Sequence, residues 1–521
     1  MVRVSDFSVT RTPHARVCPG LATVKIKCVF VAKPVVTRKR RLRVVFAVVL
    51  AVTALTVGSG YAINSADGTV EDHLDGSGPT DPDARVAPQS DGITVVATDS
   101  NSWLGSRGEG PRARAELLAL APNGSILHYD DSHTRYWDVD PVPGTEATVE
   151  YGYSDHLTAS ECPDDWNASE YAVDRETWDE YYAAHSDVGA CTRNGYERVN
   201  LTTGEVTPVW SQVTPGKPET RYHDVDRIND THLLVADIYL DRVFVVNAET
   251  GRIGWTWNAT EAFSPEATGG PYPEDWTHVN DVELLSDGRV MASLRNHDRV
   301  VFLNRTSGLV ENWTLGNEDD YDTLYEQHNP DYIDASSGGP AVVVGDSENN
   351  RVIEYQRENG TWEKSWTWRD ARMQWPRDAD RLPNGNTLIT DSNGNRVFEV
   401  NRQGEVVWSV DVAFPYEAER LGTGDESSGG ESARRAGVET RTPPLDEQFW
   451  ILLKNLIPGK YLNGLMYVTP AWMGFPELFA SVLFGVVALL WLSTELLWAV
   501  VPRVRSSGAG SDLEDRRVED D

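Results

Sequence analysis

Three histidines in the 521-residue chain sit in a shared local pattern: His223-Asp-Val-Asp226, His278-Val-Asn-Asp281 and His328-Asn-Pro-Asp331. A fourth segment, Trp375-Pro-Arg-Asp378, has the same form with tryptophan in the histidine's place. The chain has only 11 histidines. Imidazole titrates near neutrality, so such a set suits acid–base or nucleophilic work. Three imidazoles could also ligate a metal, or a repeated histidine could serve only packing. The aspartates Asp226, Asp281, Asp331 and Asp378 persist where histidine becomes Trp375. That pattern reads as structural, since aspartate commonly bonds local backbone.

The segments are about fifty residues apart, too far for local structure to join them. The elements between them explain how they meet. Each unit follows its opening residue with a turn, such as Asp287-Gly288 or Asn384-Gly385, and a β-rich run ("LLVAD", "VMASL", "VVVGD", "TLITD"). A loop ending in Arg-Val then leads to a second run ("RVFVV", "RVVFL", "RVIEY", "RVFEV"), and a third ends in Trp255, Trp313, Trp366 or Trp408. Short Val- and Ile-rich strands joined by Gly, Asn and Asp turns form antiparallel four-stranded blades, and repeats of this length form a propeller. Two diverged units upstream, from Gly92 and from Ala147, bring the expected count to six. Rotational equivalence would gather His223, His278 and His328 at one channel mouth. One unit differs: after the first run its siblings carry Asp237, Asp346 and Asp391, but here Leu294 stands, followed by Arg295.

The expected fold class is therefore all-β, a six-bladed β-propeller flanked by one transmembrane helix on each side. Val44–Ile63 holds no charge and follows a basic run; Leu478–Val501 is broken only by Glu495 and precedes Arg503 and Arg505. Both are long enough to span a bilayer, and the flanking cations place both termini in the cytoplasm. The expected organisation is a basic extension (1–43), a span (44–63), an acidic linker (64–91), the propeller (92–412), a flexible linker (413–447), an interfacial apolar segment (448–475), a span (478–501) and a cytoplasmic tail (502–521).

Eight Asn-x-Ser/Thr sequons, at Asn123, Asn167, Asn200, Asn229, Asn258, Asn304, Asn312 and Asn359, all lie between the spans. They suggest a glycosylated extracellular region. Cys162 and Cys191 bracket an insertion without metal-ligand spacing, so a disulfide is expected there. The net charge of −33 disfavours nucleic acid as a partner. Its spread along the chain, with arginine supplying most cations, fits a brine-adapted, archaeal source.

From about Gly92 to Val410 the chain resembles the arylsulfate sulfotransferases. The likeness is carried by "HDVDRINDTHLL", "HVNDVELLSDGRVMASLR" and "QHNPDYID…VVVGDSENNRVIEY". The resemblance implies transfer of a sulfuryl group from an aryl sulfate to a phenol, without a nucleotide donor, metal or cofactor. It implies His328 as nucleophile, forming a sulfohistidine, with His223 and His278 in support. Arg295 would hold sulfate oxygens, and Trp375 and Arg377 would line the substrate site. Two half-reactions through a covalent enzyme imply ping-pong kinetics. The alternative is a non-catalytic extracellular propeller that binds glycans or envelope proteins. The oligomeric state stays open.

Overall fold

The computed structural model describes residues 38–64, 84–100, 114–186, 189–216 and 219–508, with short pieces at residues 70, 74–75 and 78–79. The basic extension before residue 38 and the tail after residue 508 lie outside the described residues, as does most of the acidic linker. The chain divides into a large unit, Val52–Val486, and a smaller one formed, in its described part, by Arg38–Ala51 and the helix from Val487.

Helix α1 (Arg38–Asn64) and the C-terminal helix, numbered α6 below (Phe475–Gly508), contain stretches long and apolar enough to cross a membrane. Within the smaller unit Arg43 Nε approaches Glu495 at 2.5 Å, so the one acid in the C-terminal apolar run is paired.

The large unit is built on six antiparallel sheets. Blade 2 starts with strand Arg135–Pro141, blade 3 with Tyr222–Arg227, blade 4 with Val279–Leu284, blade 5 with His328–Ile333 and blade 6 with Pro376–Arg381. These are the inner strands. The next two strands of the blades are largely buried, least so in blade 2, and Val, Leu and Ala from neighbouring blades pack face to face. Outermost strands such as Thr361–Trp368 alternate between sheltered and exposed residues. The repeated Asp237, Asp346 and Asp391 each hold an arginine five residues on: Arg242 at 2.7 Å, Arg351 at 2.5 Å and Arg396 at 3.0 Å. Leu294 removes this pair from blade 4.

Blade 1 closes the ring with a strand from beyond the expected end of the propeller at residue 412. Pro415–Arg420 is its inner strand and pairs with Thr94–Thr98. The stretch expected as a flexible linker is correspondingly ordered. After the closing strand it forms a turn at Glu426–Gly429 and a short helix, α3 (Ala433–Ala436), whose Ala433 N–H donates to the Glu354 carboxylate. Two further helices, α4 (Leu445–Lys454) and α5 (Gly459–Tyr467), dock on the propeller. Lys454 Nζ donates to the Met373 carbonyl at 2.9 Å, and Lys460 pairs with Glu326 at 2.6 Å. Their other faces expose Leu445, Phe449, Leu452 and Tyr461, and Leu456 in the turn between them is exposed too.

The cysteine-bracketed insertion is joined by a Cys162–Cys191 disulfide. Between the cysteines, helix α2 (Arg175–His185) starts on an Asp174 cap and buries Trp178 and Tyr181 against Tyr239 of blade 3.

The inner strands share a six-fold motif. Each kinks at a bulge, and the sheet registers align Trp137-Asp-Val-Asp140, His223-Asp-Val-Asp226, Asn280-Asp-Val-Glu283, His328-Asn-Pro-Asp331, Arg377-Asp-Ala-Asp380 and Tyr416-Glu-Ala-Glu419. This corrects the alignment read from sequence. His278 and Trp375 are not the equivalents of His223 and His328; they stand two residues earlier, at the level of Arg135, Arg221, Glu326 and Phe414. At that level His278, Glu326, Trp375 and Phe414 all have positive φ (46°, 44°, 59° and 53°). This turns the chain into the strand and carries strain of the kind found at functional sites.

An inner strand has no further strand on its channel side, so its outward N–H groups need other acceptors. Carboxylates of the preceding blade supply them. Glu417 accepts from Val139 N–H at 2.8 Å, Asp138 from Val225 at 3.4 Å, Asp226 from Leu284 at 3.0 Å, Glu283 from Tyr332 at 3.0 Å and Asp378 from Ala418 at 3.1 Å. The blade-locking role expected of Asp226 and Asp378 is present. Blade 5 interrupts the series at one position: Pro330 has no N–H to offer, and Oδ1 of Asp281 in blade 4 has no hydrogen-bond partner.

The Asp226→Ala variant strands the Leu284 N–H and should lose about 1–3 kcal/mol of unfolding free energy. Asp226→Asn retains an acceptor oxygen and should lose much less. Equal losses in thermal or denaturant unfolding would show that the inter-blade hydrogen bond is not what the acid supplies.

Candidate active site

The motif's first position forms a ring at the channel mouth: Trp137, His223, Asn280, His328, Arg377 and Tyr416. His223 stacks on Trp137 with ring centroids 4.2 Å apart, and its Nδ1 lies 3.2 Å from the Tyr416 hydroxyl. His328 meets the edges of Tyr416 and Trp375 at 6.2 Å and 6.1 Å. The guanidinium of Arg377 lies over Trp375 at 4.3 Å and Tyr416 at 4.6 Å and donates to Asp99 at 3.3 Å, while its Nε is unpartnered.

His328 is 1 % exposed. Its Nδ1 lies 2.9 Å from Ser347 Oγ, which is 2.7 Å from the Pro376 carbonyl. A carbonyl only accepts, so the serine proton goes to Pro376 and Ser347 accepts from His328 Nδ1–H. That assigns the tautomer: Nε2 keeps its lone pair, the state a nucleophile needs. Ser347 follows Asp346 as Arg295 follows Leu294, so one repeat position supplies both the histidine's anchor and a cation.

His278 is equally committed. Its Nδ1 lies 2.6 Å from Asp275 Oδ1, and its Nε2 accepts from Arg295 Nη1 at 3.1 Å. Arg295 also reaches Asn296 at 2.9 Å and Asp275 at 3.4 Å, and stays 16 % exposed. The structure thus brings together His223, His278, His328, Arg295, Trp375 and Arg377. It adds four residues the sequence reading did not single out: Trp137, Ser347, Tyr416 and Asp275. Trp137 and Tyr416 carry the six-fold motif and could have been found through it. Ser347 stands at the repeat position of Arg295, although its serine type gives no sign that it anchors a histidine; Asp275 has no such signal, because only the folded loop brings it to His278.

Electrostatics separate the mouth from the channel below. Burial, followed by the nearby arginines, lowers the pKa of His223 and His328 well below the ordinary value; His278 is lowered to about 4 by burial and Arg295. All three are neutral at neutral pH. Burial pushes Asp275 up, but His278 and Arg295 outweigh it and hold the carboxyl low. Arg221, over Trp137 at 5.1 Å, and Arg135, 2.8 Å from Asp99, add positive charge at the same level. Arginines around neutral imidazoles make this mouth fit an anion.

Helix α5 borders the mouth. Asn463 donates to Glu348 at 2.8 Å, and Tyr467 packs on Phe414 and Trp375 with centroids 5.3 and 6.2 Å away. A cavity of about 690 Å³ lies beside the ring rather than over it, lined by Gln374, Asn393, Trp450, Met466 and Glu477.

Residues 222–369 match the family model for arylsulfotransferase (ASST). The matched span covers blades 3–5, including His223, His278, Arg295 and His328, and stops before Arg377. No curated protein matches the chain. Similar solved structures include a putative 6-phosphogluconolactonase from Bacteroides fragilis, 13 % identical over 63 % of this chain and 97 % of that one, TM-score 0.38. Another is the periplasmic gluconolactonase of Pseudomonas aeruginosa, 12 % identical over 64 % and 99 %, TM-score 0.38.

Histidine NMR on the detergent-solubilised chain should show His278 neutral down to about pH 4, where an ordinary histidine titrates near 6.5. Arg295→Gln should move that midpoint upward. The unfolded chain takes up the proton first, so the stability this histidine contributes is present above about 6.5 and lost as pH falls through 4. A wild-type midpoint near 6.5 would contradict the buried, arginine-flanked site.

Proposed function

We propose that the chain is a nucleotide-independent aryl sulfotransferase that works through a sulfohistidine at His328. The observation that carries this reading is the Ser347 contact, which takes the Nδ1–H of the buried His328 and so assigns the lone pair to Nε2, among arginines. The family match over 222–369 supports the reaction class. In the first half-reaction Nε2 attacks the sulfur of an aryl sulfate. The N–S bond forms as the S–O(aryl) bond breaks, and the electron pair leaves on the phenolate. Arg295 and Arg377 offset the charge on the sulfuryl oxygens, and Trp375 and Tyr416 offer faces for the aryl ring. His223 is the better hydrogen-bond donor to the leaving oxygen, because its Nε2 is unpartnered, whereas both nitrogens of His278 are engaged. With Tyr416 O–H donating to Nδ1, the neutral His223 donates a hydrogen bond from Nε2–H to the departing phenolate, which takes its proton from solvent on release. In the second half-reaction the acceptor loses its proton to solvent and, held by the same N–H, attacks sulfur as a phenolate; the O–S bond forms as the N–S bond breaks and the electron pair returns to His328 Nε2.

In this reading the propeller is extracellular, held by two spans with both termini cytoplasmic. The apolar outer faces of α4 and α5 lie at the membrane interface, directly before the C-terminal helix. Every sequon asparagine is exposed or half-exposed, as glycan attachment requires. Several of them also fix turns, as Asn200 and Asn304 do by accepting from the N–H groups two and three residues on.

Initial rates with a chromogenic aryl sulfate and a phenol should give parallel double-reciprocal lines. His328→Ala should lower turnover by at least about 10³-fold, and Arg295→Met by roughly 10²-fold, as for loss of a transition-state charge partner. Full activity in His328→Ala would remove the nucleophile assignment.

A further inference from the structure

Below the mouth the channel changes sign. The second and fourth positions of the six-fold motif are acidic in every blade except for Asn329, and the turn at Glu426 adds further carboxylates. No lysine, arginine or histidine forms an ion pair with Asp331, Asp378, Asp380, Glu419 or Glu426 among the described residues. Hydrogen bonding covers only part of the group. Asp331 accepts from Ser427 Oγ at 2.5 Å, Asp378 accepts from Thr390 Oγ1 at 3.2 Å and Ala418 N–H at 3.1 Å, and Glu419 accepts from Glu426 N–H at 2.8 Å.

Carboxylate oxygens of Asp331, Asp378 and Asp380 lie within 4.8 Å of one another. A second observation comes from outside this trio. Glu419, 1 % exposed, leaves Oε2 with no hydrogen-bond partner, and its carboxyl interacts with those of Asp378 and Asp331. Oδ2 of Asp380, also 1 % exposed, is likewise unpartnered. Buried acceptors left open cost free energy unless something fills them.

We propose that Asp331, Asp378, Asp380 and Glu419 bind a calcium ion in the propeller channel, below the histidine ring. The donor set is all oxygen, which suits a hard cation rather than zinc or copper. Carboxylates fixed on inner strands of three blades offer several oxygens, mono- or bidentate, which suits calcium, with its larger and variable coordination, over the smaller, more exacting magnesium. The ion would cross-link blades 5, 6 and 1. It takes no part in sulfuryl transfer, so the proposal stands apart from the functional reading.

The test uses the full chain in detergent, stripped with EDTA and dialysed. Calcium titration followed by calorimetry and thermal unfolding should show about one ion bound per chain and a higher unfolding temperature. Magnesium at the same concentration should give a smaller shift. Asp380→Asn, and separately Glu419→Gln, should weaken calcium binding by about tenfold or more; the surface control Asp287→Asn should not. Direct metal analysis of the wild-type chain after dialysis against calcium needs no variant. Absence of bound calcium there, with no thermal shift, would overturn the proposal and leave protons as what neutralises these carboxyls. Unchanged affinity in both channel variants would overturn the site.

Discussion

The fold depends on how an inner strand satisfies the edge it turns to the channel. A propeller closes its sheets into a ring but leaves six inner strands without a neighbour on one side. Here the missing acceptors are carboxylates reaching from the adjacent blade, Glu417 to Val139, Asp226 to Leu284, Asp378 to Ala418 and their counterparts. The same side chains therefore hold blade to blade and line the channel with negative charge. Burial raises their pKa values, to about 6 for Asp226 and about 7 for Asp378, and neighbouring acids add to the rise at Glu417. A solution that satisfies backbone donors creates a local charge problem, which protons or a cation must relieve.

The mouth differs because each motif begins with a bulged residue that need not lock blades. Those six positions carry aromatics, histidines, an asparagine and an arginine, and the level above them carries Arg135, Arg221 and His278. Acid below and base above give the channel a polarity along its axis. An anion is favoured only at the top, where His328 and His223 are held neutral. His328 belongs to the one blade whose motif is interrupted. Asn329 turns to Glu417 at 2.9 Å, and Pro330 offers no N–H, so the strand bearing the proposed nucleophile keeps, among the described residues, only the Tyr332–Glu283 bond to the preceding blade.

Much of this was legible in the sequence. Turn chemistry and β-rich runs gave the blades and their number, the cysteine pair gave the disulfide, and hydropathy gave the two long helices. Two features were not legible for physical reasons. In the inner strands acids recur at every second residue, as in Asp224 and Asp226 or Asp378 and Asp380. A two-residue slip keeps every side chain on the same face and still matches acid to acid. His278 and Trp375 could therefore be aligned with the wrong ring level. The closing strand Pro415–Arg420 pairs with Thr94–Thr98 across most of the chain, and nothing local to it marks that partner. Its Tyr-Glu-Ala-Glu sequence shows its kinship only once the two-residue acid pattern is known from the other blades.

The claim on which the account turns is that His328 Nε2 becomes covalently sulfated. Rapid mixing with an aryl sulfate in the absence of acceptor, quenching under mildly alkaline conditions and peptide mass spectrometry test it directly. The account predicts one added sulfuryl group on the peptide containing His328, discharged when a phenol is supplied. A sulfuryl group found on a different residue, or transfer proceeding at full rate with His328 never labelled, would contradict it.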